Sequence, residues 1–325
     1  MNINIRSEKP EDYNKIANLN YNSFCDWHPN DYKSEPLTVS LLRHSQYYDK
    51  DLSIVAELDG QIVGHALFSI FPMVIMKQKI LGAYLAPLCV ETNLQKEGIG
   101  SMLLNEAHKI LQKKGVSIAL VCGHKDYYPK FGYENKMFAL SGTKITLNVE
   151  KIDTDEILEK PVKSTDLDWI KKHWESVHKD DRLATYLGDT ISQWFNYSPI
   201  YRSSMIYEGK KLLGYIRYRN TYPLEVKEIL AEDNNAEKII SYIMKNKFKR
   251  TNGEVILSLP LKNTLMIFDN NENICVEEKI RTSDYLMMKV IDNENKLLEQ
   301  YIQEAKTSDN NLGVITFPSM FDIDD

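Results

Sequence analysis

One segment constrains this chain more than any other: Gln95-Lys96-Glu97-Gly98-Ile99-Gly100, set between an apolar run and a long one-sided helical pattern. The run before it, Tyr84-Leu85-Ala86-Pro87-Leu88-Cys89-Val90, is too apolar for a surface loop and too short for a buried helix, so it reads as a core strand. After it, Ile99, Met102, Leu103, Ala107, Ile110 and Leu111 recur at the spacing of an amphipathic helix. Lys113 and Lys114 put cations at its negative end, and Gly115 suits the left-handed residue that closes a helix. At the other end, glycines 98 and 100 strip away side chains and leave unpaired backbone N–H groups aimed at an anion. Strand, glycine-rich turn and helix N-terminus together make a seat for a phosphate.

Composition narrows what kind of protein holds that seat. At 325 residues the chain is long for one domain and comfortable for two. A hydrophobic fraction of 43% and a charged fraction of 26% fit an ordinary globular protein. No apolar run approaches a membrane span and no signal-like segment opens the chain, so a cytoplasmic protein without a membrane partner is expected. Cys25, Cys89, Cys122 and Cys275 are widely spaced without a C-x-x-C, which indicates neither a disulfide framework nor a metal site. The net charge of −6 and the interleaving of lysines with acids argue against nucleic acid as a partner and would not repel a cationic substrate.

The two glycine-rich nucleotide signatures do not fit, since there is neither G-x-x-x-x-G-K-[ST] nor a G-x-G-x-x-G opening a helix from a first strand. Residues 95–100 instead resemble the Q/R-x-x-G-x-G/A signature of the GNAT N-acyltransferases. Val116 to Gly123 reads as the next strand, and Asp126-Tyr127-Tyr128-Pro129-Lys130-Phe131-Gly132-Tyr133 resembles the Y-x-x-x-G-F/Y segment that follows in that family. The resemblance implies acetyl-CoA as co-substrate and no metal. It implies that Gln95, Lys96, Glu97, Gly98, Ile99, Gly100 and Ser101 bind the pyrophosphate, while Leu88, Cys89 and Val90 pair through their backbone with the pantetheine arm. It further implies a bulge in the preceding strand, which Pro87 suits because a proline cannot donate to a ladder.

In the family, the tyrosine four residues before the glycine donates a proton to the departing thiolate, and here that position is Tyr128. A phenol with a reference pKa near ~10 stays protonated at neutral pH and can play that part. Tyr127 is its competitor, and His124 and Asp126 are candidates for the base, alongside a water relay. Cys89, inside an apolar strand, reads as a small core residue and not a nucleophile.

The sequence also contains a faded copy of itself. Ile54 to Ala66 reads as a hairpin around Asp59-Gly60, and Met205 to Ile216 as a second around Gly209, with Gly64 and Gly214 offset by 150. Val226 to Ala231, Ala236 to Lys247 and Glu254 to Leu259 continue as strand, helix and strand, but Glu232-Asp233-Asn234-Asn235-Ala236-Glu237 replaces the cradle with carboxylates that repel phosphate. Glu11 to Phe24, Leu37 to His44, Leu167 to Trp174 and Arg182 to Trp194 look helical. In the family such helices wall the acceptor pocket. The charged, proline-punctuated stretch 149–163 marks the boundary.

The expected class is α+β with mixed central sheets: residues 1–150 a catalytic acetyl-CoA-binding domain, 160–292 a degenerate GNAT-like domain, and 293–325 a C-terminal helix and docking tail. This arrangement resembles the bacterial tandem GNAT proteins, including the first two domains of the group named for enhanced intracellular survival. In that group the chain end reaches the active site; here Phe321 is followed by Asp322-Ile323-Asp324-Asp325. The expected activity is acetyl transfer from acetyl-CoA to a primary amine on a small molecule or peptide, by direct attack. The rival is a non-catalytic acyl-CoA-binding sensor. A homo-oligomer is compatible with the sequence, which does not name the acceptor.

Overall fold

The structure is a computed structural model that describes residues 2–27, 34–232, 235–268 and 274–321. The elements of the first half are β1 (Asn4–Ser7), α1 (Tyr13–Phe24), α2 (Ser34–Arg43), β2 (Ser53–Leu58), β3 (Gln61–Ile75), β4 (Gln78–Val90), α3 (Ile99–Lys113), β5 (Ile118–Cys122), β6 (Glu134–Asn135) and β7 (Ser141–Asn148). The second half continues with β8 (Ile157–Pro161), α4 (Leu167–His178), β9 (Ala184–Thr185), β10 (Tyr201–Glu208), β11 (Lys211–Arg219), β12 (Leu224–Ala231), α5 (Ala236–Asn246), β13 (Asn252–Leu257), α6 (Leu261–Ile267), β14 (Ile274–Arg281), β15 (Leu286–Val290) and α7 (Lys296–Ala305).

Two mixed sheets result, and they match place by place. The first runs β1-β2-β3-β4-β5-β15-β6, with β9 beside β3, and the second runs β8-β10-β11-β12-β13-β7-β14. The sixth places are exchanged. Strand β7, from the first half, pairs antiparallel with β13 from Leu257↔Thr143 to Asn252↔Asn148, and β15, from the second half, pairs with β5 from Leu286↔Cys122 to Val290↔Ile118. Each exchanged strand buries its apolar face in the other half's core, Ile145 and Leu147 in one and Met287 in the other. The charged stretch 149–163 therefore divides the order of elements along the chain, while the sheets themselves reach across it.

The repeated hairpins have one register. Asp59 (φ 49°) and Gly60 (φ 77°) both take the left-handed conformation that a two-residue turn requires, and Asp-Gly is the pair that adopts it at least cost. Gly64 faces Ala56 beside a bulge in β3, where Val63 is the extra residue, and Gly214 faces Ile206 beside a bulge in β11, where Leu213 is the extra residue. A β-carbon at Gly64 would lie 3.0 Å from Leu103 Cδ1 of α3, and one at Gly214 would lie 2.9 Å from Ile239 Cδ1 of α5. In each copy, then, glycine lets the long helix settle on the hairpin.

A second repeat lies at the first helix of each half. The Lys9 backbone N–H donates to Asp12 (2.9 Å), and the Lys163 N–H donates to Asp166 (2.7 Å), each opening a 3₁₀ turn into a helix of 12 residues. The expectation of a helix over Arg182–Trp194 is not met. Ala184 and Thr185 instead pair with Val74 and Met73 at the far end of β3, Gly188 (φ 124°) turns the chain, and the Trp194 indole donates to the Gly188 carbonyl (2.8 Å). Burial of Trp194 against Tyr215 outweighs the helical pattern there.

The long strands part where the sequence places Pro87. In the β3–β4 ladder Ala66 faces Leu88 and Phe68 faces Leu85, so Ala86 and Pro87 together oppose Leu67. β4 pairs with β5 only from Gly82↔Ile118 to Leu85↔Val121, and beyond the bulge the two strands separate. The second sheet repeats the device with Lys227 as the extra residue and pairing that ends at Val226↔Leu257.

Candidate functional site

The gap between β4 and β5 opens into a cavity of about 870 Å³. Its lining brings together Leu88, Cys89, Val90, Gln95, Lys96, Gly98, Ile99, Gly100, Ser101 and Tyr128 of the sequence-derived set; Glu97 is exposed and is not among the lining residues. Its other walls come from the ends of α1 and α2, the segment after β5, and two residues late in the sequence, Tyr285 and Phe321.

The cradle owes its shape to left-handed backbone. Lys96 (φ 68°) and Gly98 (φ 86°) wrap the chain into the start of α3, and Met102 N–H is the first to pair, on the Gly98 carbonyl 3.0 Å away. The N–H groups of Ile99, Gly100 and Ser101 fall in the first helical turn, which has no intrahelical acceptors, and the helix dipole adds partial positive charge there. Gly100 is required for a local reason as well: a β-carbon would stand 2.7 Å from the Tyr127 hydroxyl. Gln95 lies beside the strand end, its Nε2 donating to the Val90 carbonyl (3.3 Å).

The two tyrosines separate along the cavity. The Tyr127 hydroxyl is over Gly100 and hydrogen-bonds with Ser101, at the start of α3. Tyr128 is 7% exposed and sits at the end of β5, its ring in T-shaped contact with Tyr127 and Tyr133. Burial pushes its phenol above the ordinary range, so it carries its proton throughout the physiological pH range. His124 lines the cavity, whereas Asp126 is exposed and is not among the lining residues.

Cys89 gives the cavity its backbone only. Its thiol points into the core and donates to Asn20 Oδ1 (3.4 Å), and burial holds the thiol well above its usual pKa. Asn20 continues to His65 Nδ1 (3.3 Å), which faces Ser53 through Nε2 (3.1 Å); burial lowers the imidazole to about 4, so it is neutral. This polar row ties α1 to the sheet beneath the cavity.

The equivalent gap in the second sheet is closed from within. The fully buried Arg217, which faces Glu228 across the bulge, donates from Nη1 to the Phe317 carbonyl (2.9 Å), and the Thr316 hydroxyl donates to the carbonyl of bulge residue Lys227 (2.9 Å). His178 is held between Asp181 (2.7 Å) and Glu228 (3.1 Å). At the start of α5, Asn235 is right-handed (φ −76°), and Glu232 accepts from the Trp169 indole (2.9 Å). A carboxylate thus occupies the side where a phosphate would approach. Asp233 and Asn234, counted above among the residues replacing the cradle, lie outside the described residues, as do Asp322 to Asp325.

Sequence reasoning missed Ser34, Glu35, Tyr285 and Phe321 as cavity residues. No local pattern distinguishes them; Tyr285 arrives only because β15 crosses to the first sheet, where the Gly123 N–H donates to the Tyr285 carbonyl (2.9 Å). Among the described residues no group of three His, Cys, Asp or Glu could hold a metal ion, and no helix is long and apolar enough to cross a membrane.

A bulged strand parted from its parallel neighbour, with a glycine-opened helix N-terminus at the mouth of the gap, defines a GNAT-type fold. Residues 4–135 match the acetyltransferase (GNAT) domain. Over 102 residues it is 35% identical to the uncharacterized N-acetyltransferase YjhQ of Escherichia coli strain K12, an alignment covering 31% of this chain and 56% of that relative. The chain thus spans little more than half the length of that curated relative. Among solved structures, a GCN5-related N-acetyltransferase from Kribbella flavida superposes with a TM-score of 0.64 over 90% of this chain and 72% of its own, at 12% identity. Eis1 from Mycobacterium abscessus superposes at 0.55 over 90% of this chain and 74% of its own, at 13% identity. Both are likenesses of fold, and both run through the two sheets.

Proposed function

We propose that this chain transfers an acetyl group from acetyl-CoA to a primary amine in the cavity of the first sheet. The observation that carries the reading is that the glycine cradle, the unpaired edge of β4 and the protonated Tyr128 all meet in one cavity. The residues present fit acetyl-CoA: Gly98 and Gly100 leave the backbone donors of residues 99–101 uncovered for the pyrophosphate, and Leu88, Cys89 and Val90 offer strand backbone to the pantetheine arm. Acetyl-CoA supplies the activated thioester.

The residues of the chain then position, shield and move protons. The amine nitrogen forms a bond to the carbonyl carbon as the carbon–sulfur bond breaks, and the Tyr128 hydroxyl gives its proton to the leaving sulfur. The proton shed by the nitrogen leaves through water on the His124 side and restores the phenol. Direct attack needs only alignment of the two reactants, which the narrow gap enforces. The buried, protonated Cys89 thiol is not a nucleophile in this scheme.

The test is Tyr128→Phe, followed by thiol release with an amine panel and by calorimetry with acetyl-CoA. Loss of turnover by about 100-fold with binding intact supports the assignment. Unchanged turnover removes Tyr128 from the mechanism, and binding without turnover in the unmodified protein favours a sensor.

A further inference from the structure

We infer that Arg217, buried in the second sheet, is a positioning residue for the cavity of the first. By holding the Phe317 carbonyl it fixes where Phe321 stands in the cavity wall, a role that rests on reading that cavity as the acyl-transfer site.

The chain from Val314 to Phe321 touches both sheets. Val314 bridges to Ala139, and the Ile315 N–H donates to the Ala139 carbonyl (2.8 Å), which sets the direction of the segment. The next two residues meet the second sheet. The Thr316 hydroxyl donates to the carbonyl of bulge residue Lys227, and Arg217 Nη1 donates to the Phe317 carbonyl, each at 2.9 Å. The Phe317 ring, in contrast, makes a T-shaped contact with Tyr84 of β4 (5.1 Å) and another with Phe138 (6.4 Å). One residue therefore has its carbonyl held by one sheet and its ring by the other.

A single turn of chain separates that anchor from the cavity. The Phe321 N–H donates to the Pro318 carbonyl (3.0 Å) in a 3₁₀ turn over Ser319–Phe321, so the turn moves as one piece. Met320 is buried with Ile16 of α1 and with Val39 and Leu42 of α2. The Phe321 ring lies against Phe317 (6.2 Å), Tyr84 (5.9 Å) and Phe71 (6.4 Å) and lines the cavity. Arg217 is fully buried, where a well-packed apolar side chain would fill the space at a lower desolvation cost. What the guanidinium adds is direction, because a charge-assisted bond away from water holds one carbonyl in one place. Tyr84 pairs with Leu120 in the closed part of the β4–β5 ladder, whereas Val90 stands beside Gly100 at the cradle. The strand between them is roughly 20 Å long, so moving Phe321 alters the inner end of the cavity and leaves the cradle as it is.

The experiment uses the full chain with Arg217→Met, Thr316→Val and Phe321→Ala. It reads hydrogen exchange by mass spectrometry, acetyl-CoA affinity by calorimetry, and thiol release with n-propylamine, 2-phenylethylamine, spermidine and kanamycin. Arg217→Met is expected to speed exchange in residues 316–321 about tenfold while α3 stays within about twofold. It should raise KM for the best-used amine about tenfold, with kcat within about threefold and acetyl-CoA affinity within about twofold, and should add nothing to Phe321→Ala in the double variant. Thr316→Val removes one hydroxyl at nearly constant volume; it should show the same pattern at smaller size, and it decides the matter if Arg217→Met does not fold. Exchange in 316–321 within about twofold of the parent in each variant that folds overturns the inference, as does a KM effect that adds to that of Phe321→Ala. A loss spread evenly over KM, kcat and acetyl-CoA affinity also overturns it, since that marks a general weakening of the fold. A parent chain that binds no acetyl-CoA sinks the acyl-transfer reading instead. In that case, or if none of the four amines is turned over, exchange in 316–321 alone decides whether Arg217 holds the wall.

Discussion

The ring of Tyr128 takes up the space that a side chain at Gly123 would need: a β-carbon there would overlap the ring at Cε2 and lie 3.2 Å from Cζ. The first residue after β5 is thus small so that the phenol can stand beside the parted strands. Gly123→Ala should displace the ring and lower kcat by about 10- to 100-fold with acetyl-CoA affinity within about twofold, read by thiol release and calorimetry.

The cradle makes a complementary prediction. Gly100→Ala drives a methyl group toward the Tyr127 hydroxyl at 2.7 Å and covers the helix end. Acetyl-CoA affinity should fall about tenfold or more by calorimetry, a loss of roughly 1.4 kcal/mol. Tyr127→Phe together with Gly100→Ala should recover part of it, because the overlapping atom is gone.

The two hairpin glycines should respond unequally to alanine. At Gly64 the new carbon meets side-chain ends, Leu103 Cδ1 at 3.0 Å and Ile99 Cγ2 at 3.1 Å, which can yield. At Gly214 it meets the Leu230 carbonyl, which is fixed in a ladder. Chemical denaturation should show a cost of about 1 kcal/mol for Gly64→Ala and about 3 kcal/mol for Gly214→Ala.

Stability should fall on both sides of neutrality, through different histidines. Burial works against a charged His178, but Glu228 and Asp181 outweigh it and raise the imidazole to about 10. Its folded pKa exceeds the unfolded value, so its contribution is complete below about 6.5 and is lost as pH rises toward 10. His65 is lowered to about 4 by burial, so the unfolded chain takes up the proton first, and stability falls as pH drops from about 6.5 to 4. Each limb should slope by at most about 1.4 kcal/mol per pH unit in denaturant titrations, and His178→Gln should flatten the alkaline limb only.

Local chemistry made much of this legible in the sequence. The cradle, the bulge at Pro87 and the hairpin at Asp59-Gly60 are written in residues that adopt few conformations. The offset of Gly64 and Gly214 marks the copies, and a second signal was there to use: Lys9 with Asp12 recurs as Lys163 with Asp166, the same 3₁₀ entry to a helix. What pattern could not give is partnership. Ser141 to Asn148 alternates like any strand, and nothing within it says that its neighbours are Asn252–Leu257 and Ile274–Arg281. Glu35, Tyr285 and Phe321 enter the cavity by tertiary placement alone, and the helical spacing over Arg182–Trp194 yielded to the burial of Trp194.

The exchange of β7 and β15 also bears on how the molecule is made. Synthesis delivers the cradle, Tyr128 and five strands of the first sheet early, but the strand that lies against β5 is not assembled until residue 290. Until then the edge of β5 has no neighbour, and Tyr285 has yet to reach the cavity. The nascent first half cannot finish ahead of the second, although domains usually complete in order of emergence. The candidate cleft is the last part of this protein to close, and the second copy, whose equivalent gap is filled, is what brings the closing strand.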